Sequence, residues 1–313
     1  MILMKIRTVL TLVAATPLLA ACGGVGAGDS AGPRVVASFY PLEYVAQRVA
    51  GDHAEVTGLT APGQEPHDLE LTFKQTADVA EADVLVFSHG LQPAVDDAVD
   101  QSGAEHVVDA AEVADLLPPG ETAAEHEANA GEESHDHGDE DVDPHFWLDP
   151  QRLSTVAAAV EEQLAEADPE HRADYAANLA ALQDDLTALD GDFEKGLSGC
   201  ARDTIVVSHD AFGYLAARYG LTVESINGLT PDAEPSPAHL AELADLIESE
   251  GITTVFSETL ASPELADSLA GDLGLDTAVL DPVEGLTDET ADEDYLSLMR
   301  GNLAALQKAN DCR

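Results

Sequence analysis

Positive charge is scarce in this chain: 13 of 313 residues are Lys or Arg, against 61 Asp and Glu, for a formal net charge of -48. No basic stripe is available to hold a phosphate backbone, and the overall field repels one, so nucleic-acid binding is excluded. Aromatic residues make up 4% of the chain, and no Arg or aromatic cluster marks a pocket for a bulky ligand such as haem, cobalamin or a siderophore. CxxC pairs, which would point to redox chemistry or a zinc finger, are missing. An HExxH helix is missing too, and with it the usual base of a zinc protease. The apolar run at 8–21 is too short to span a bilayer.

What is present begins with 45% hydrophobic residues, ample for one core or two smaller ones, and the length favours two lobes. The N-terminus reads as a processing signal: Lys5 and Arg7 precede the 8–21 run. Leu19-Ala20-Ala21-Cys22 resembles a bacterial lipobox, which makes 1–21 a lipoprotein signal peptide and Cys22 the lipidated residue. The glycine-rich stretch 22–33 then serves as a flexible tether, and the folded part starts near Arg34. Cys200 and Cys312 remain as an even pair in an oxidising compartment. A disulfide between them is expected, with two free thiols as the alternative.

Short β-branched runs at 35–39, 55–59, 83–87 and 105–108, and again at 204–207, 222–226, 253–256 and 277–280, alternate with helical patterns. That alternation predicts an α/β protein of two similar Rossmann-like lobes, each a mainly parallel four-stranded sheet with helices on both faces. The lobes are placed at 34–150 and 200–313, with a helical connection at 151–199. Asp149-Pro150, Asp168-Pro169, Ser236-Pro237 and Ser262-Pro263 read as helix starts, and Gly51, Gly251 and Gly271 as stops. The proline-free stretch from Pro169 to about Leu197 predicts a helix of ~40 Å acting as a rigid spine between the lobes. Within the first lobe, 118–143 mixes Asp, Glu and His without apolar periodicity and predicts a mobile loop carrying His126, His135 and His137.

Four residues are candidate metal ligands: His67 in Glu65-Pro66-His67-Asp68, His145 in Asp143-Pro144-His145-Phe146-Trp147, His209 in Ser208-His209-Asp210, and Asp281 in Leu280-Asp281-Pro282. Their spacing of roughly seventy residues is unlike that of local zinc motifs. Topology argues for them instead, because His209 and Asp281 directly follow expected strands, where open α/β sheets present ligand-binding loops. His67 follows the second strand and His145 precedes a capped helix, so two residues from each lobe can face one interlobe cleft. Three imidazoles and one carboxylate suit tetrahedral Zn²⁺, whereas a Mn²⁺ site would carry more carboxylate.

These motifs, with Ser208-His209-Asp210-Ala211-Phe212-Gly213-Tyr214, resemble the metal-binding solute-binding proteins of bacterial zinc and manganese ABC importers, in their zinc branch. The resemblance runs from about Val35 to the C-terminus. It implies two α/β lobes joined by a long helix, with His67, His145 and His209 as ligands and Asp281 as the fourth or beside a water that is. It further implies a non-enzymatic, monomeric, extracytoplasmic lipoprotein that captures Zn²⁺ as cargo and delivers it to a zinc ABC permease. His126, His135 and His137 are possible auxiliary ligands that collect zinc. Closure of the cleft on Zn²⁺ and loss of affinity below about pH 6, where free imidazole protonates, are expected. A manganese or iron cargo and an adhesive surface lipoprotein are the alternatives. A zinc hydrolase would need the open position that Asp281 is expected to fill.

Overall fold

The structure, a computed structural model, describes residues 32–118, 142–231 and 233–313. Cys22, His126, His135 and His137 lie outside the described residues. The first sheet contains β1 (Arg34–Ala37), β2 (Glu55–Gly58), β3 (Val84–Phe87) and β4 (His106–Asp109). The second contains β5 (Thr204–Val207), β6 (Thr222–Ser225), β7 (Thr254–Ser257) and β8 (Asp276–Val279). Both sheets are wholly parallel, with strand orders β2-β1-β3-β4 and β6-β5-β7-β8. Renumbered within each lobe, the two orders are the same, and the eight expected strands are displaced by no more than two residues at either end. The inner strands β3 and β5 are buried along their whole length. Such burial on both faces is why they read as unbroken apolar or β-branched runs.

The helices are α1 (Tyr40–Ala50), α2 (Phe73–Ala80), α3 (Pro93–Ser102), α4 (Ala110–Val113), α5 (Pro150–Ala167), α6 (Arg172–Leu197), α7 (Gly213–Tyr219), α8 (Pro237–Glu250), α9 (Glu264–Leu273) and α10 (Tyr295–Ala309). Among the described residues, no helix is long and apolar enough to cross a membrane. Helix α5 starts as its sequence dictates: Asp149 accepts the N–H of Gln151 at 2.8 Å and Pro150 takes the first position. Ser236 caps α8 in the same way.

Two expected boundaries move. The carboxylate of Asp168 contacts His171 Nδ1 at 2.6 Å and accepts from the Tyr175 hydroxyl at 2.9 Å, so it is committed to side chains instead of helix N–H groups, and α6 begins at Arg172. Gly271 lies inside α9, which ends instead at Gly274, whose φ of 70° favours a residue without a β-carbon.

With 26 residues, α6 is ~39 Å long. It buries Tyr175, Leu182, Leu186, Leu189, Phe193 and Leu197 against α1, α5 and α10, each such side chain contributing ~1.5–3 kcal/mol. One polar residue interrupts the stripe. Asp190 receives both Nε and Nη2 of Arg218, at 2.5 and 2.7 Å, and the hydroxyl of Tyr219 at 2.9 Å, which locks α7 to the spine. The Cys200–Cys312 disulfide joins the chain after α6 to the end of α10. The largest apolar core is continuous, running from Val35 and Phe39 through Trp147 and α6 to Phe256 and Leu306.

Candidate metal centre

Each functional loop leaves the carboxyl end of a parallel strand or leads into a capped helix, where backbone groups are free of the sheet. His67 sits in the loop after β2, in a turn whose Pro66 carbonyl accepts from Gln92 Nε2 at 3.1 Å and from the Leu69 N–H at 3.2 Å. His145 immediately precedes the single helical turn Phe146–Leu148 that feeds α5. His209 follows β5, and Glu284 lies in the loop after β8.

The structure brings His67, His145 and His209 together with Glu284, their ligating atoms all within 4.8 Å of one another. The Nε2 atoms of His67, His145 and His209 lie 3.4, 3.3 and 3.6 Å from Glu284 Oε1. His145 Nε2 and His209 Nε2 are 3.4 Å apart. These separations are longer than ordinary hydrogen bonds and close to the ~3.3–3.5 Å edge of a tetrahedron with bonds of about 2.0–2.1 Å. His145 and His209 are fully buried, Glu284 is nearly so, and its second oxygen is buried without a hydrogen-bond partner. A buried carboxylate in that state calls for a cation.

The other ring nitrogens are backed by carboxylates. His145 Nδ1 is 2.7 Å from Asp143 Oδ1, which also accepts the His145 N–H at 2.9 Å. His209 Nδ1 is 2.7 Å from Glu258 Oε1, in ionic contact but out of line for a hydrogen bond. Glu258 Oε1 also accepts the His209 N–H at 3.1 Å and the hydroxyl of Ser208. Carboxylates at Nδ1 leave Nε2 as the ligating atom and raise its basicity. Asp143 is held in turn by its neighbours. Its carbonyl accepts from Tyr214 at 2.7 Å, its N–H donates to Leu117 at 2.8 Å, and its carboxylate lies so close to Gly213 that a β-carbon there would meet Oδ2 at 2.7 Å.

Burial disfavours the charged form of both buried imidazoles, yet the surrounding carboxylates prevail. Asp143 and Glu284 hold His145 up at about 9, and Glu258 and Glu284 hold His209 up at about 10. Burial would raise Glu284, but the close approach of the His145, His209 and His67 rings keeps it well below the usual carboxylate range. Burial and the charge of Glu284 push Glu65, which accepts the His67 N–H at 3.1 Å, up to about 7.

Asp281, expected as the fourth member, is not in the converging group. Its Oδ1 accepts the N–H of Val283 at 2.8 Å. Its backbone is held by one amide of α10: Asn302 Oδ1 accepts the Asp281 N–H at 2.8 Å and Nδ2 donates to its carbonyl at 2.6 Å. Burial raises Asp281 to about 6, opposed by the Val283 N–H. Val283 is fully buried at φ 59°, a left-handed conformation that a β-branched residue rarely takes.

Glu284 is masked in the sequence because Leu280-Asp281-Pro282-Val283-Glu284 offers two carboxylates three residues apart in one loop, and Asp281 comes first. Glu258, absent from the expected site, directly follows β7, and the topological rule that points to His209 points to it equally.

The family model for the zinc-uptake complex component A, periplasmic, matches residues 35–309. This chain belongs to that family. Among its relatives, the high-affinity zinc uptake system protein ZnuA of Bacillus subtilis is 34% identical over 307 residues, covering 93% of each chain. The zinc-binding lipoprotein AdcA of Streptococcus pneumoniae is 36% identical over 283 residues, covering 88% of this chain and 56% of AdcA. This chain therefore spans little more than half the length of AdcA. The crystal structure of the Zn(II)-bound ZnuA-like domain of that protein superposes with a TM-score of 0.72 at 33% identity, covering 90% of this chain and 99% of the domain.

Proposed function

We propose that this protein captures Zn²⁺ outside the cytoplasm and delivers it to an ABC permease, with His67, His145 and His209 through Nε2 and Glu284 through Oε1 as the four ligands. The observation that carries this reading is the convergence of one carboxylate oxygen and three imidazole nitrogens within 4.8 Å of one another in a buried setting. Zinc here is cargo, and nothing in the reading calls for catalysis. The donors come from loops of both lobes, so the ion ties the two together, with Asp143 and Glu258 keeping the imidazoles aimed.

A cavity of 170 Å³ borders His67 and is lined also by His89, Gly90, Pro144 and Thr230. It offers a hydrated ion a route to the one histidine of the three that is not fully buried. Three imidazoles with a single carboxylate favour Zn²⁺ over Mn²⁺ or Fe²⁺ as cargo. Lipidation at Cys22 would hold the protein beside the permease, and His126, His135 and His137 would gather zinc.

Metal analysis of protein purified without added metal, followed by chelator-competition titration, tests the assignment. One equivalent of zinc is expected for the wild type, with affinity lost on His209→Ala and on Glu284→Gln. Equal affinity of the wild type and Glu284→Gln would remove Glu284 from the ligand set.

A further inference from the structure

We propose that Asp281 is a positioning residue: by holding Val283 in a left-handed turn it aims Glu284 at the three histidines, without touching the ion itself. This rests on the reading of Glu284 as a ligand.

The loop after β8 must deliver a short side chain to a point defined by three imidazoles on other segments. Its course is fixed residue by residue. Asn302 grips the N–H and carbonyl of Asp281, at 2.8 and 2.6 Å. The carbonyl of Pro282 accepts the indole N–H of Trp147 at 2.7 Å. The N–H of Val283 is taken by Asp281 Oδ1 at 2.8 Å, an Asx turn closed across the proline. Beyond Glu284, the carbonyl of Leu286 accepts the N–H of Gly63 at 2.6 Å.

Valine has no preference of its own for φ 59°. A β-branched residue placed there relaxes to the extended or helical region unless something outside it forbids the move. Among these contacts the Asp281 carboxylate is the one that bonds to Val283 itself. Relaxation at Val283 would redirect the chain one residue before Glu284 and carry Oε1 away from its 3.3–3.6 Å spacing to the imidazoles. A ligand role for Asp281 would set it among the converging atoms, where it is not.

The test is chelator-competition titration of Zn²⁺ on the full chain in five forms: wild type, Asp281→Asn, Asp281→Ala, the double variant Asp281→Ala/Val283→Gly, and Glu284→Gln. Asparagine keeps an oxygen for the turn and should bind within about threefold of wild type. Alanine should weaken binding by about 10–100-fold, the usual range for a group that orients a ligand. Glycine adopts positive φ without assistance, so the double variant should recover most of that loss. A ligating or merely structural Asp281 would not be rescued in this way. The proposal is overturned if Asp281→Asn loses as much as Asp281→Ala, if Asp281→Ala binds like wild type, or if the folded double variant shows no recovery. Unchanged affinity in Glu284→Gln would instead refute the ligand assignment beneath it.

Discussion

The indole N–H of Trp147 donates to the carbonyl of Pro282 at 2.7 Å. Trp147 is two residues from His145 and Pro282 two residues from Glu284, so this hydrogen bond ties together the segments that carry two of the four proposed ligands. Trp147→Phe keeps the aromatic packing against Phe39, whose ring lies 4.8 Å away edge-on, but strips the Pro282 carbonyl of this partner, at a cost of about 1–3 kcal/mol. Zinc affinity is expected to fall about tenfold with only a modest drop in Tm. Unchanged affinity in competition titration would show that the loop holds its place without the indole.

Proton competition should be strong. Imidazole must be neutral at Nε2 to ligate, yet the free protein holds His145 at about 9 and His209 at about 10. Between about pH 6.5 and 9 each zinc therefore displaces up to two protons, and affinity should rise with pH by as much as ~100-fold per unit. The window lies well above the fall below about pH 6 anticipated from unperturbed histidine. The same raised values make a statement about the metal-free fold: the imidazolium–carboxylate contacts stabilise it fully below about 6.5, and that contribution is lost as pH climbs through 9 and 10. The Tm of the metal-free protein should decline across that interval while the zinc-loaded Tm does not follow it. Calorimetry in two buffers of different ionisation enthalpy at pH 7.5 measures the released protons, and a value near zero contradicts the assignment.

Gly213→Ala would drive a β-carbon to 2.7 Å from Asp143 Oδ2. Because Asp143 Oδ1 is committed to both the N–H and Nδ1 of His145, the carboxylate must swing away from the ring that it steadies. A 10–100-fold loss of zinc affinity is expected, the usual effect of disturbing a ligand's support. Asp143→Ala should match it, and the double variant should be no worse than either alone. Additive losses would place the effect of Gly213 elsewhere.

Cys200→Ser/Cys312→Ser opens a link between residues 112 positions apart. Stability is expected to fall by about 2–5 kcal/mol, read as a lower Tm, while zinc affinity stays at the wild-type value because the bond joins α6 to the end of α10, away from the donor loops. A matching loss of affinity would tie the C-terminal end to the site.

The architecture was legible because parallel strands covered on both faces announce themselves as β-branched runs, as at Val84–Phe87 and Thr204–Val207, and because Asp149 and Ser236 mark their helices chemically. The start of α6 was not, since Asp168 carries the signature of a cap but spends its carboxylate on His171 and Tyr175. At the metal centre the three histidines stood out by residue type and by their place after strands or before a helix. The choice between Asp281 and Glu284 turns on the sign of φ at Val283, which no local preference of valine would reveal. Asp143 and Glu258 reach the rings of His145 and His209, 2 and 49 positions away in the chain, and the second pairing forms only on folding.

The unbroken core beneath both sheets has a consequence for unloading. Swinging one half of the molecule wide of the other would tear greasy surface from greasy surface along the length of α6. Under the proposed function, release of the ion is therefore cheapest by peeling back a single strap: the segment running from Asp281 to Leu286 is stitched down by a handful of separable hydrogen bonds.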